Sequence, residues 1–323
     1  MALTEKLTNI ANAIRAKTNT TDKLTLDQMP GMIEGISGGA GAKYKPRYIR
    51  FESYTGTELN YEVAGLDTSL MTSMDHMFYA NSKITSLDLS GFDTSNVTSL
   101  TDTFSNCTSL KTLNLTGWNT SMVTNMQSTF SSCRQLKTLD ISHFDTSNVT
   151  RMYSMFNDNR NTPEFNLTNF NTAKVVNMGY MFKDCYYTTK FDLSSFNTAL
   201  VQDMSYMFNN CQNVTSINLS NFTSEALLNM SNMFYGCVKL DSIDLSGIDG
   251  LKVTNTYNMF YNCKMLKHLD IRKFDFTSVT SYNNMFYNVP VDCEIIVKDD
   301  TAKAWVLARR SDFTNVKTVA ELG

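Results

Sequence analysis

One period organises this chain. Phenylalanine recurs every 26 residues, at Phe78, Phe104, Phe130, Phe156, Phe182, Phe208, Phe234, Phe260 and Phe286. Nine residues after each stands an apolar–x–apolar element, from Leu87/Leu89 through Leu113/Leu115, Leu139/Ile141, Phe165/Leu167, Phe191/Leu193, Ile217/Leu219, Ile243/Leu245 and Leu269/Ile271 to Ile295/Val297. One step further back lies Tyr61/Val63, which makes ten strand-like elements in one register with no insertion or deletion. A repeat overrides the two or three globular domains that 323 residues would otherwise imply.

Residues 87–112 show what one unit does. Leu87-Asp88-Leu89 alternates like a half-buried strand, and Ser90-Gly91 turns the chain. Phe92 fills the interior, Asp93-Thr94-Ser95-Asn96 supplies turn and cap chemistry, and Val97, Leu100 and Phe104 fall at i, i+3 and i+7. The unit therefore reads as strand, turn, short helix and return. Alone it would leave both faces of one thin layer in water, so it can hold only by stacking on its copies. The fold class expected is an α/β solenoid with one parallel sheet, its strands ~4.8 Å apart.

Composition agrees once the period is known. Thr (39), Ser (30) and Asn (33) supply nearly a third of the chain, and they fall mainly at turn and outward phases. Only 18% of residues are charged, which suits a stack in which every surface charge would meet its own copy one rung away. Hydrophobic content (42%) and aromatic content (11%) are too high for a disordered chain. A net charge of −3 argues against nucleic acid as a partner, and the apolar runs are too short for membrane insertion.

The stretch Cys107-x-x-Leu110-x-x-Leu113-x-Leu115 resembles a leucine-rich repeat. The wider unit, clearest at 144–156 (Phe-Asp-Thr-Ser-Asn-Val-Thr-Arg-Met-Tyr-Ser-Met-Phe), resembles the BspA-like leucine-rich-repeat surface proteins over about 59–298. That resemblance implies a leucine-rich-repeat solenoid and a family that includes adhesins, bacterial surface proteins and phage tail proteins.

The ends depart from the repeat. Leu3, Leu7, Ile10, Ala11 and Ile14 form one helical stripe, and a second short helix is expected over Leu26–Ile36, so residues 1–37 read as a helical hairpin. Ser37-Gly38-Gly39-Ala40-Gly41 reads as a flexible linker, so 38–58 is taken as linker and entry, 59–298 as solenoid, and 299–323 as a C-terminal cap. Residues Leu7–Arg15 with Asp22–Pro30 resemble a segment near the start of tail and fibre proteins in phages of Gram-positive hosts; the alternative is an N-terminal solenoid cap. Met1–Arg15 has no secretory pattern, which inclines the expectation toward a phage particle. Residues 1–50 carry a net +4 and 51–297 a net −8.

Two sets of residues are candidate ligand contacts. Strand midpoints Asp88, Asn114, Asp140, Asn166, Asp192, Asn218, Asp244 and Asp270 should form an outward row. Adjacent carboxylates at ~4.8 Å would repel by roughly 0.9 kcal/mol in bulk water, and alternation with Asn halves this. The row is either a solvated hydrogen-bond ladder or a polar groove for sugar hydroxyls or a cation. Tyr235, Tyr261 and Tyr287 share a phase, and Tyr186 with Tyr187 add a fifth-unit cluster; both could contact carbohydrate or protein, or simply pack between rungs. Leu3, Leu7, Ile10 and Ile14 are the candidate tail-attachment stripe, suited also to a homotrimeric bundle.

Cys107, Cys133, Cys185, Cys211, Cys237 and Cys263 share one interior phase, held by Asn81 and Asn159 in two other units. No His or carboxylate accompanies them, so they read as packed thiols, and no metal is expected. No catalytic set or cofactor motif appears. The function expected is non-enzymatic recognition by a phage tail or tail-fibre protein in a virion. Residues 1–37 would dock on tail or baseplate proteins, and the solenoid would bind a host surface glycan or protein. A bacterial cell-surface adhesin is the alternative, and a glycan-processing enzyme a distant third.

Overall fold

The computed structural model describes Phe51, the strand at 58–60 and residues 67–323. The hairpin expected over 1–37, including Leu3, Leu7, Ile10 and Ile14, lies outside the described residues. The rest is a parallel solenoid with 26 residues per rung, held on two sides by different ladders.

On one side are short strands. β1 (Glu58–Asn60), β2 (Ser86–Asp88) and β3 (Thr112–Asn114) form one parallel sheet. β4 (Ser216–Asn218), β5 (Ser242–Asp244), β6 (His268–Ile271), β7 (Glu294–Val297) and β8 (Val316–Thr318) form another. Between them, the chain at 138–140, 164–166 and 190–192 follows the same course without a strand ladder. The single sheet expected from the repeat is thus two. Pro163 supplies one cause: its equivalents Lys111, Asp241 and Lys267 donate N–H bonds of 2.8–2.9 Å to the previous rung, and proline has no N–H. Phe165 and Phe191 supply another, as larger rings at the position Leu or Ile fills elsewhere. Those rings insert against the central phenylalanines at 4.7–5.5 Å.

The opposite side is continuous. Single-residue parallel bridges run unbroken from Ser73 through Ser99, Asn125 and Arg151 to Ser281. After each bridge the chain curls, but not into the short helix that the i, i+3, i+7 spacing implies. Leu100, Asp102, Phe104 and Asn106 each donate N–H forward to the next rung at 2.8–2.9 Å, while Thr103, Ser105 and Cys107 close tight turns within the rung at 3.1–3.2 Å. Alternate donors are spent between rungs, so no i→i−4 series can form. The curl needs a left-handed residue at two phases per unit, such as Asp102 (φ 53) and Asn106 (φ 63). Asn and Asp, which tolerate that region best after glycine, fill most of these places, with Ser at Ser128, Ser132 and Ser154.

The first strand also departs from the period. Leu59 pairs with Leu87, a spacing of 28, so the strand sits at 58–60 rather than at Tyr61/Val63, which lies outside the described residues. A two-residue shift preserves the alternation of a strand, where a one-residue shift would invert it.

The interior is a spine of ten phenylalanines. Phe51, unmarked by the 26-residue count, begins it; successive rings to Phe286 lie 5.4–5.9 Å apart and within 14° of parallel. Phe313 ends it edge-on at 5.6 Å. The only α-helix among the described residues, α1 (Asp300–Leu307), lies over this end. Asp299 caps it by accepting from the Ala302 N–H at 2.9 Å, and Ala302 and Val306 are buried. Trp305 stacks on Phe276 at 4.1 Å.

Buried threonines stitch the rungs at a corner. From Thr68 to Ser224, seven successive rungs carry a hydroxyl here that donates to the next rung. Most also accept an N–H from it: Thr146 donates to the Asn171 carbonyl at 3.0 Å and accepts from the Asn171 N–H at 2.8 Å.

The six in-phase cysteines are all buried, and each thiol donates to the carbonyl of the previous rung's Phe at 3.0–3.3 Å. Asn81 does the same through Nδ2 to Phe51 at 2.7 Å. Asn159, equally buried, makes no side-chain bond.

Candidate functional site

The strand side presents its outward residues as shallow troughs. One, of about 680 Å³, runs across Ser86, Asp88, Thr112, Asn114, Thr138, Asp140, Glu164 and Asn166. Another, of about 370 Å³, runs across Ser216, Asn218, Ser242, Asp244, His268, Asp270 and Glu294. The strands place these side chains by simple alternation: Ile217 and Ile243 point inward while their neighbours face water. The outward row expected from the sequence is present, but at the last residue of β2 to β5 rather than at their midpoints, and it is divided between two troughs, with Asp192 in the stretch between.

Each member of the row braces a turn. Asp88 Oδ1 accepts from both the N–H (3.0 Å) and the hydroxyl (2.7 Å) of Ser90. Asp140 with Ser142 and Asp192 with Ser194 repeat this geometry. Asn114, Asn218 and Asp244 accept the corresponding N–H alone. The Asn166 carbonyl accepts from the Thr168 hydroxyl. At Asp88, Asp140 and Asp192 these bonds favour the ionised form. The Ser90 N–H and then its hydroxyl hold Asp88 below the ordinary carboxylate value; for Asp140 and Asp192 the hydroxyls of Ser142 and Ser194 lead and the N–H groups follow. Between rungs, Asn114 donates to Asp88 at 3.0 Å, so alternation replaces one repulsion with a bond. The adjacent pair Asp244/Asp270 is relieved by Arg272, which forks Asp270 through Nε at 2.8 and 2.9 Å. His268 instead meets Glu294 at 3.1 Å.

The tyrosines sit elsewhere. Tyr235, Tyr261 and Tyr287 stack at 4.8 and 4.6 Å, within 15° of parallel. Tyr287 lines a separate depression that contains none of the Asp/Asn row. Tyr186 is tied down, donating to Asp184 at 3.2 Å beneath the Arg160 guanidinium, whereas Tyr187 is 60% exposed. The two do not form a cluster with the stack. A second aromatic ladder, Tyr153–Tyr180–Tyr206 at 5.2 and 4.5 Å, has no single phase in the sequence, because Tyr153 and Tyr180 are 27 apart. Tyr180 and Tyr206 stand on left-handed backbone (φ 60 and 58), where bulky side chains are rare.

Charge gathers in the irregular units. Asp158, only 6% exposed, is gripped by Arg134 at 2.7 Å and Arg160 at 2.6 Å, and Lys183 pairs with Asp184. Among the described residues, no set of three or more His, Cys, Asp or Glu is arranged to hold a metal. No helix among them is long and apolar enough to cross a membrane.

Comparison with known proteins returns architecture rather than activity. The pneumococcal vaccine antigen PcpA is similar at 15% identity, over 85% of this chain and 80% of that one, with a TM-score of 0.34. A leucine-rich cell-surface protein of Faecalibacterium prausnitzii is similar at 13% identity, over 84% and 83%, with a TM-score of 0.29. Neither is described as a phage protein. No curated protein matches. A family described as "Mycoplasma protein of unknown function, DUF285" matches at 51–137, 98–213 and 185–296, three overlapping stretches that cover most of the chain and the whole ladder of rungs from Ser73 to Ser281. With the matched stretches together spanning residues 51–296, well over half of its length, the chain belongs to the DUF285 family.

Proposed function

We propose that the solenoid is a non-enzymatic recognition module displayed at a bacterial surface, an adhesin in kind, which binds a glycan or protein along its strand side. One observation carries this: the outward Asp/Asn row is fixed in place by its own turns. Side chains already ordered lose little entropy when a ligand arrives. A row of fixed acceptors beside Ser and Thr hydroxyls suits a partner rich in hydroxyl or amide donors. No nucleophile, base and oxyanion donor converge in either trough, which favours binding over turnover.

The test places bulk in the trough. Thr112→Arg with Thr138→Arg puts two exposed long cations between the rows, and Thr98→Arg with Thr124→Arg does the same on the turn side. Beads coated with the full chain should lose adhesion to a panel of bacterial and host cells only with the first pair. Equal adhesion of both variants rejects strand-side recognition.

The expectation of a phage tail, with residues 1–37 on the baseplate and a trimeric stalk, is a second form of the same proposal and rests on the Leu7–Arg15 and Asp22–Pro30 resemblance. Immunogold labelling separates the two: label on the cell envelope supports the adhesin, and label on released particles supports the tail protein.

A further inference from the structure

The tyrosine stack has one unused face. Tyr261 is sandwiched, with one ring on each side. Tyr287 ends the row because the chain leaves the 26-residue register after it: β7 and β8 pair at a spacing of 21. Among the described residues Tyr261 is the one aromatic ring it stacks on, and it is 48% exposed. The ring lines an open depression of about 730 Å³ with Lys264, Asn288, Val289, Pro290, Val291 and Arg310.

The lining is both shaped and charged. Arg310 is immobilised, donating to the Phe286 carbonyl at 2.6 Å and the Val289 carbonyl at 3.3 Å and pairing with Asp312. Lys264 has no ion-pair partner among the described residues. Both charged lining residues are cationic, in a solenoid whose net charge over 51–297 is −8. Asn288 is oriented by its 2.7 Å bond to Asn262.

We propose that this depression is a subsite for an acidic monosaccharide unit, one that carries a carboxylate on a pyranose ring. The flat C–H face of the ring would lie on Tyr287, beside Pro290 and Val291. The carboxylate would meet Lys264, and a ring hydroxyl Asn288. A peptide fits less well, because strand addition needs free backbone partners. Here the Val289 N–H is bonded to Phe286, the Val289 carbonyl accepts from Arg310, and the Val291 carbonyl accepts from Thr314. The inference rests on the proposed recognition role but concerns a different surface from the strand troughs.

The full chain is titrated by calorimetry with an oligoglucuronate, an oligoglucose of equal length and a poly-glutamate peptide. Oligoglucuronate should bind, with its Kd raised about tenfold by Tyr287→Ala and several-fold by Lys264→Gln, and little changed by Tyr287→Phe. Oligoglucose should bind more weakly and ignore Lys264→Gln. Absence of oligoglucuronate binding, unchanged affinity in both variants, or tighter binding of poly-glutamate each overturns the subsite. Circular dichroism of Tyr287→Ala confirms that a loss is not unfolding. Cell adhesion that fails with Thr112→Arg/Thr138→Arg but survives Tyr287→Ala would leave strand-side recognition standing and remove only this subsite.

Discussion

Thr146→Val exchanges a hydroxyl for a methyl of nearly the same volume at a residue only 1% exposed. It deletes two bonds to one peptide unit: the donation to the Asn171 carbonyl at 3.0 Å and the acceptance from the Asn171 N–H at 2.8 Å. Each such bond has a net worth of about 0.5–1.5 kcal/mol, so the expected loss is about 1–3 kcal/mol. Thr146→Ser keeps both bonds and gives up one methyl, at about 0.8 kcal/mol. Thr124→Val removes an exposed bond to the Thr98 carbonyl, where water replaces the partner, and should cost less than about 0.5 kcal/mol. The order of damage should thus be Thr146→Val, Thr146→Ser, Thr124→Val. Denaturant unfolding gives the global values. Amide exchange at Asn171 gives the local one, which matters because a solenoid can open rung by rung. If Thr146→Ser proves worse than Thr146→Val, or if Thr146→Val is silent in both measurements, the hydroxyl corner is packing and not a connector.

Other expectations follow from the same interior. Asn159→Cys should stabilise by about 1–2 kcal/mol, since it replaces an unbonded buried amide with the thiol used in six other rungs; a destabilised variant in urea unfolding rejects that account. Phe182→Ala, which empties a fully buried site stacked at 5.6 and 5.8 Å on its two sides, should cost about 3–5 kcal/mol, and a loss under about 1 kcal/mol would show that the spine can close over the gap. Burial pushes the Cys107 and Cys237 thiols up to about 12, so both should resist alkylation at mildly alkaline pH until the protein is denatured; rapid labelling of the native chain contradicts this. The Thr277 hydroxyl, with the Thr277 N–H and Lys298, holds Asp275 at about 2, below its ordinary 3.8. A depressed carboxyl contributes stability that is full above 3.8 and lost as pH falls toward about 2, so Thr277→Ala should flatten the stability profile in that window, and an unchanged profile refutes the coupling.

The solenoid was legible because its phenylalanine phase repeats in every unit and its Leu and Cys phases in most: a rung must bury the same face as its neighbours, and these residues mark that face. The missing helix was not legible, because Val97, Leu100 and Phe104 point inward with the same spacing whether the turns between them are helical or alternate-handed. Handedness was written at Asp102 and Asn106, in residues that also suit ordinary turns. The gap in the sheet had visible signs in Pro163, Phe165 and Phe191, although their effect depends on bonds to rungs before and after. Of the candidate site, the Asp/Asn row and the Tyr235–Tyr287 stack were found by phase. Their separation onto different surfaces was not, since phase says which residues align along the axis and not which rows meet across it. Tyr153, Tyr180 and Tyr206 escaped because the ladder changes phase by one residue midway, beside Gly179.

The two ladders have unequal lengths, and that inequality sets how the rod bends. The turn side is tied rung to rung from Ser73 to Ser281, whereas the strand side has no strand ladder at 138–140, 164–166 and 190–192 and is joined there only by scattered bonds such as Thr189 N–H to the Pro163 carbonyl. Bending should therefore pivot at the bridge ladder, about an axis that crosses it, and open the strand side in the middle of the molecule. One trough runs from β2 and β3 into the rungs at 138–140 and 164–166, and the other lies wholly beyond them. A short ligand held in the second trough would not sense the flexing. A polymer long enough to reach both would span a jaw, and its grip would tighten or slacken with the curvature of the protein.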